Sequence, residues 1–337
     1  MTAQECSQLL LSKNNILIIT HTNPDGDTLC SAAALCSALR RAGKRANLFR
    51  NPAVTTKYMP HVEKYFAPKS FKSKYIVSVD VATEKMFAEG FDGAIDLCID
   101  HHPTNSHYAK KELVCPDKAA CGEIVLVVIK EMCGGITQEE ADLLYIAVTT
   151  DTGCFQYLNT NAATFRAAAE PLEYGADTGM VNVKFFRKAS RARLKLEGMI
   201  YSTMGFYRDG KISVAIITKE MLRQAGAGEE DCDDLAGLAG RAEGASVNIT
   251  IRERDNGSSK VSVRTGRDVS SSDICAVFGG GILNLAIVLG ISNTTVYIRM
   301  MRSQVLSIKE RDYIMAGKLQ GNSNFRLMFH HILPNSM

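Results

Sequence analysis

Nowhere among the 337 residues is there an apolar run of about 18 side chains, so no segment reads as a membrane span. The first residues, Met1-Thr2-Ala3-Gln4-Glu5, lack the basic-then-apolar pattern of a secretory signal. No C-x-x-C pair occurs among the ten cysteines, which are scattered rather than spaced as a disulfide framework. Several, such as Cys98, Cys133 and Cys275, fall in or after apolar patterns, where a thiol behaves as a small hydrophobe. These deficits predict a reduced, cytoplasmic protein with no membrane partner. Internal repeats and low-complexity segments are also absent. Charge of one sign is scarce: 39 Lys+Arg against 36 Asp+Glu leave +3, too little to mark a nucleic-acid binder. Even that excess is local. Residues 282–337 carry six basic and two acidic side chains, whereas the first 281 carry 33 and 34.

What is present reads as ordinary globular composition, with 46% apolar and 22% charged residues, so a largely disordered chain is excluded. The length exceeds the roughly 100–200 residues of one domain and predicts two. In the first half, short β-rich runs alternate with helical patterns. Ile16–Thr20, Asn47–Arg50, Tyr75–Asp80 and Ala94–Asp100 read as strands. Helices are expected at about Thr28–Ala42, Cys121–Glu131, Gln138–Thr149 and Ala162–Tyr174. Most of these strands are continuously apolar, as in a mainly parallel sheet covered on both faces, which predicts a doubly wound α/β domain over residues 1–185. A basic segment, Phe186–Leu196, falls in a helical connector at 186–200. Beyond it Lys211–Ile217, Ser246–Arg252 and Lys260–Arg264 alternate like antiparallel strands, with a turn at Asp255-Asn256-Gly257, and predict a smaller α+β domain over 201–337.

Four acidic or histidine-rich clusters lie near the ends of these elements: His21-Thr22-Asn23-Pro24-Asp25-Gly26-Asp27, Asp80, Asp100-His101-His102, and Asp151 in Thr149-Thr150-Asp151-Thr152-Gly153. Ligand sites of open parallel sheets gather at the carboxyl ends of the strands, so the clusters can converge in one cleft. Histidine with several carboxylates and no cysteine suits a divalent ion such as Mn²⁺ better than thiolate-bound zinc. The candidates His21, Asp25, Asp27, Asp80, His101 and Asp151 exceed the needs of one ion, and a carboxylate can bridge two ions about 3.5–4 Å apart. Singly, each cluster also has a plainer role: an aspartate caps a helix and Asp-Gly makes a turn.

H-T-N-P-D-G-D, V-S-V-D, I-D-H-H-P and T-T-D-T-G-C-F resemble the four motifs of the DHH phosphoesterase superfamily. With Gly122-Glu123-Ile124-Val125 and Phe155–Thr160, they look most like its nano-RNase/pAp phosphatase branch, which joins a DHH domain to a DHHA1 domain. The resemblance implies that His21, Asp25 and Asp80 hold one Mn²⁺, and that Asp27, Asp80, His101 and Asp151 hold a second, with Asp80 bridging. It implies that His102 meets the scissile phosphate or assists proton transfer, and that a hydroxide shared by the ions attacks in line. Implied substrates are short oligoribonucleotides and 3′-phosphoadenosine 5′-phosphate. Arg264 and the glycines Gly279, Gly280 and Gly281 would contact the substrate from the second domain. A cyclic-di-AMP or linear-dinucleotide phosphodiesterase is the runner-up, and a catalytically impaired nucleotide-binding protein is the reading from another class. The oligomeric state stays open.

Past Gly281 the family pattern calls for a histidine and then Ala-Ala-Gly, whereas the chain reads Ile282-Leu283-Asn284-Leu285-Ala286. Residues 282–337 are therefore expected to be a divergent or frame-shifted replacement of the family's ending.

Overall fold

The computed structural model describes residues 1–232, 234–254, 257–266, 269, 270 and 274. The chain divides into two compact units, one built on Met1–Leu196 with residues from Leu222 onward, the other on Glu197–Met221 and residues from Asp234 onward.

In the first unit, α1 (Ala3–Leu11) leads into β1 (Ile16–Ile19), α2 (Gly26–Arg41), β2 (Ala46–Leu48) and the short α3 (Met59–Val62). Then come β3 (Tyr75–Val79), β4 (Leu97–Asp100), β5 (Glu112–Val114), α4 (Cys121–Cys133), α5 (Gln138–Asp151), α6 (Ala162–Glu173), α7 (Thr178–Asn182) and a π-helical turn, Val183–Arg187. The sheet order is β2-β1-β3-β4-β5 and every pairing is parallel. The expected α/β fold is present. Ile16, Ile18, Ile19, Val77, Val79, Leu97 and Ile99 are buried because helices cover both faces, which is why these strands read as unbroken apolar runs. β5 was invisible in the sequence: three residues at a sheet edge, ELV, carry no periodic signal.

Two local choices bring the strand ends and helix ends together. α2 begins at Gly26, where a Cβ would stand 2.3 Å from Thr150 Oγ1, so only glycine lets the start of α2 meet the end of α5. After α5 the chain turns back through Gly153, Cys154 and Phe155, all at positive φ (56°, 55° and 66°). At the other end of α5, Thr137 and Glu140 form a reciprocal capping box.

The second unit contains α8 (Arg191–Thr203) from Glu197 onward, β6 (Gly205–Tyr207), β7 (Ile212–Ile217), the first part of α9 (Lys219–Ala225), β8 (Val247–Glu253) and β9 (Ser259–Thr265). Its sheet runs β6-β7-β8-β9. Here the expectation of antiparallel strands needs correction: β6–β7 and β8–β9 are antiparallel, but β7 and β8 are parallel. Burial alternates along β7 in the same way for either direction, since alternation reports which face is covered and not which way the neighbour runs. The long connection between them, with helical segments of its own, is what permits the parallel pairing. Asp255, Asn256, Cys275, Gly279, Gly280, Gly281 and residues 282–337 lie outside the described residues.

Candidate metal centre

The first ligand candidate, His21, leaves β1 and is held by its neighbours. Asn51 Nδ2 donates to the His21 carbonyl at 2.8 Å and to Thr20 Oγ1 at 3.1 Å, both buried. Asp25 caps α2, its Oδ1 accepting from the N–H groups of Asp27 and Thr28 at 3.1 Å. Capping and a possible ligand role coexist, because the cap uses one oxygen of a side chain that remains 54% exposed. Asp27, in the first turn of α2, is buried, and three donors orient it. Ser31 Oγ and the Gly122 N–H give to Oδ1 at 2.8 and 2.9 Å, and the Cys121 N–H gives to Oδ2 at 2.6 Å. The last two belong to the first turn of α4, whose unpaired N–H groups favour an anion.

Asp80 follows β3 at φ 60°, a left-handed conformation that costs a non-glycine residue roughly 1–2 kcal/mol. Its N–H donates to the Ile99 carbonyl at 2.9 Å, and its carboxylate is buried with Oδ1 accepting no hydrogen bond. Asp100 closes β4 and is fully buried. It accepts from the His101 N–H at 2.8 Å, His102 Nδ1 at 2.7 Å and Asn105 Nδ2 at 2.6 Å. His101 turns Nδ1 to the Lys118 carbonyl at 3.2 Å, which leaves Nε2 facing the carboxylates. Asp151 is the last residue of α5, so this candidate stands at a helix end rather than a strand end.

The six candidates meet in one cluster. His21 Nε2 lies 3.7 Å from Asp25 and 3.9 Å from Asp80. His101 Nε2 lies 3.3 Å from Asp80, 3.7 Å from Asp151 and 3.9 Å from Asp27. At the shortest of these gaps Asp80 Oδ1 still accepts no hydrogen bond, and the others are too long for one. They suit atoms around a common cation, since ligands on bonds of about 2.1 Å sit roughly 3–4 Å apart. Three groups of donors can each surround an ion: His21–Asp25–Asp80, Asp27–His101–Asp151, and Asp80–His101–His102. Asp80 belongs to two of them. In the third, His102 Nδ1 is already bonded to Asp100.

The electrostatics agree with a cation-binding set. Burial, followed by the charges of Asp80 and Asp151, pushes Asp27 well above the usual carboxylate range. Burial lifts Asp151 to about 7, with Asp80 and Asp25 adding to the shift and His101 opposing it. For His101, burial disfavours the charged ring, but contact with Asp80 and the charges of Asp27, Asp80 and Asp151 outweigh it and raise it to about 10. Without a metal, protons take the place of the missing positive charge.

Two further expected substrate contacts are not among these residues. Arg264 is an exposed residue of β9, opposite Asn248, in the second unit. Gly279, Gly280 and Gly281 are outside the described residues. The supporting groups Asn51, Asn105, Ser31 and the α4 N-terminus carried no signal in the sequence. Asn105 alone could have been suspected, three residues after His102 in a turn.

Comparisons with known proteins follow the same division. The model of the DHH family, N-terminal domain, matches residues 15–148. The bifunctional oligoribonuclease and PAP phosphatase NrnA of Thermus thermophilus is 34% identical over 270 residues, covering 79% of this chain and 81% of that protein. The crystal structure of an exopolyphosphatase-related protein from Bacteroides fragilis superposes with a TM-score of 0.73 at 22% identity, covering 83% of this chain and 87% of that one, and so shares its fold. A second family model, the binding-protein-dependent transport system inner membrane component, matches residues 245–337. The dipeptide transport permease DppC of Alkalihalophilus pseudofirmus is 45% identical over 64 residues, 19% of this chain and 21% of the permease. That similarity speaks against the frame-shifted alternative for residues 282–337, because an out-of-frame stretch would not resemble an established protein family, and leaves the expectation of a replaced ending standing. Among the described residues no helix is long and apolar enough to cross a membrane. Through its first unit and its long match to an NrnA protein, the chain belongs to the DHH family of phosphoesterases.

Proposed function

We propose that the chain is a Mn²⁺-dependent hydrolase of short oligoribonucleotides and 3′-phosphoadenosine 5′-phosphate. The observation that carries this reading is the pair of donor triads, His21–Asp25–Asp80 and Asp27–His101–Asp151, set around the buried Asp80 carboxylate. Asp80 belongs to the first triad, and its Oδ1 lies 3.3 Å from His101 Nε2 of the second, its backbone held in the left-handed region at φ 60°. The all-oxygen-and-imidazole donor set favours Mn²⁺ over a thiophilic ion. Two such cations would supply an ionised water at neutral pH and offset the charge that builds on the phosphoryl oxygens.

The protein's own contribution is orientation and proton control. Asp100, locked by Asn105 and two backbone N–H groups, accepts from His102 Nδ1. That hydrogen bond raises the His102 pKa against the opposing effect of burial. The ring is 34% exposed, so Nε2 remains available to meet a phosphate oxygen or a leaving group. The second unit would hold the remainder of the substrate, with Arg264 as a phosphate contact.

The experiment is hydrolysis of a diribonucleotide, of 3′-phosphoadenosine 5′-phosphate and of a generic aryl phosphodiester by the full chain, with Mn²⁺ and after chelation. Cleavage of the first two that is lost on chelation and restored by Mn²⁺ is expected. Cleavage unaffected by chelation overturns the metal reading, and cleavage of the aryl ester alone overturns the substrate assignment.

A further inference from the structure

On the first unit, outside the metal cluster, two lysines share one aromatic platform. Tyr58, at the start of α3, stacks on Phe185 of the π-helical turn, with ring centroids 5.5 Å apart and planes inclined by 27°. Both rings are buried. Lys57 Nζ sits 5.4 Å from the Tyr58 centroid and 5.2 Å from that of Phe185. Lys184 Nζ sits 5.4 Å from the Phe185 centroid and donates to His61 Nε2 at 2.8 Å. His61 itself leans on Phe185 at 5.8 Å.

This arrangement lacks an acid. Among the described residues neither Lys57 nor Lys184 forms an ion pair with a carboxylate, and the groups that act on Lys184 are its burial, Cys30 and Lys57. Burial and the nearby Lys184 hold His61 below its ordinary value, so at neutral pH its ring accepts from the ammonium and adds no charge. A lysine on an open surface would turn away from a like charge. Here cation–π contacts and the imidazole acceptor keep both ammonium groups at one place, at an estimated ~0.5–1 kcal/mol per ring contact. Two held cations without a counter-ion make a site for an anion.

Its position indicates which anion. Cys30, one turn along α2 from Asp27, is affected by Asp25 and Asp27 and also by Lys184. Asn182, immediately before the π-helical turn, contacts Tyr145 Oη and Cys154 Sγ, and so ties that turn to α5 and to the loop after Asp151. Through the π-helical turn the lysine pair is therefore tied to the helix that ends at Asp151. A π-helical turn is itself a common companion of functional sites.

We propose that Lys57 and Lys184 on the Tyr58–Phe185 platform form a phosphate subsite that receives a backbone phosphate of an oligoribonucleotide beyond the phosphate being cleaved. This inference rests on the hydrolase reading above for the identity of the polyanion, and its test is separable from that reading. Single-stranded nucleic acid releases counter-ions on binding with a slope of about −0.7 in log K against log salt per phosphate neutralised. The subsite, which takes one phosphate, should thus account for a slope change of about 0.7.

The test is fluorescence anisotropy of a short 5′-phosphorylated oligoribonucleotide titrated with the full chain at several salt concentrations, in chelator so that it is not cleaved. In the Lys57→Gln/Lys184→Gln variant the slope should fall by about 0.7, with Lys57→Arg/Lys184→Arg restoring it. Lys184→Gln alone, at an exposed position, should lower it by part of that amount and guards against a double variant that fails to fold. A slope equal to that of the parent in the folded variants overturns the subsite. Hydrolysis of the same oligonucleotide by the parent chain with Mn²⁺ tests the hydrolase reading separately. Cleavage with an unchanged slope rejects only the subsite, whereas a changed slope without cleavage rejects only the hydrolase. No binding at all rejects both.

Discussion

The two units of this chain solve the problem of presenting polar groups in opposite ways. In the first, the contacts that orient Asp27 are buried, and those that orient Asp100 are buried or half-buried. Asp27 takes three donors, Asp100 takes four, and Thr28 Oγ1 donates to the Val79 carbonyl at 2.8 Å, tying α2 to β3. In the second, β9 is an edge strand with an exposed or half-exposed burial pattern, and Arg264 projects from it. The sequence relationships divide along similar lines. The NrnA similarity extends over most of the chain, while a transport-permease similarity enters at residue 245, inside the second unit. The difference teaches that the candidate ligands gather in the unit matched by the DHH model, while the permease-like similarity is confined to the chain from residue 245 onward.

The largest effect that can break this comparison belongs to Asp80. Asp80→Ala removes the carboxylate common to two donor groups, and several kcal/mol of charge stabilisation correspond to about a thousandfold or more in kcat. Loss is expected on the aryl diester and on oligonucleotides alike. A variant that lost only oligonucleotide cleavage would place the chemistry elsewhere.

Stability of the first unit comes next. The Glu140 carboxylate is fully buried and meets Arg41 Nη2 at 2.8 Å and the Thr137 N–H at 2.9 Å. Arg41→Ala would leave that charge without its partner, at about 2–3 kcal/mol, less than a wholly buried pair because Arg41 is 35% exposed. Urea unfolding read in the metal-free chain should show this as a lower midpoint with an unchanged slope.

A smaller and more local effect is expected at Gly26. Gly26→Ala drives a Cβ against Thr150 and separates the α2 start from the α5 end, costing about 1–3 kcal/mol as overpacking does. Because Asp25 and Asp27 flank this glycine and Asp151 follows Thr150, Mn²⁺ affinity measured by calorimetry should fall as well. Affinity equal to the parent's would mean that the contact serves packing alone.

In the second unit, Arg264→Ala should raise KM for oligonucleotides by about tenfold, the scale of one charge-assisted hydrogen bond, with kcat on the aryl diester retained. Replacing residues 282–337 with the ending of the Thermus thermophilus relative should act in the opposite direction, lowering KM. Equal effects of Arg264→Ala on all substrates would dissolve the proposed division of labour.

The pH response separates the metal-free protein from the loaded one. Asp151 has a folded pKa of about 7, above its unfolded value, so the native state binds more protons than the unfolded state between about pH 4 and 7. Stability from this group therefore falls as pH rises through that window. His101, raised to about 10, contributes stability that is complete below about pH 6.5 and is lost as pH rises toward 10. Thermal midpoints of the metal-free chain should decline across both windows, and Mn²⁺ should flatten the decline. A flat profile without metal would show that the carboxylates do not crowd one another.

Much of the site was legible because its signals are local. Histidine and aspartate at the ends of apolar runs mark candidate ligands, and those runs became β1, β3 and β4 within three residues of their expected bounds. Asp151 was legible as a residue type but its element was not, since the helix of α5 continues two residues past the expected end. The parallel β7–β8 pairing, β5 and the donors Asn51 and Ser31 were not legible, because each depends on a partner distant in sequence or on a stretch too short to show a period. The lysine platform is of the same kind: Lys57 and Lys184 stand far apart in the chain and share a ring only through the stack of Tyr58 on Phe185.

Sequence by itself determined the alternation of elements, the ligand types and the family, since hydrophobic period and donor chemistry are properties of residues and their near neighbours. Tertiary structure decided which atom each ligand presents, through contacts the chain makes only when folded. Gly26 against Thr150, the left-handed Asp80 and the N–H groups of α4 at Asp27 turn four separate motifs into one cluster of candidate ligands.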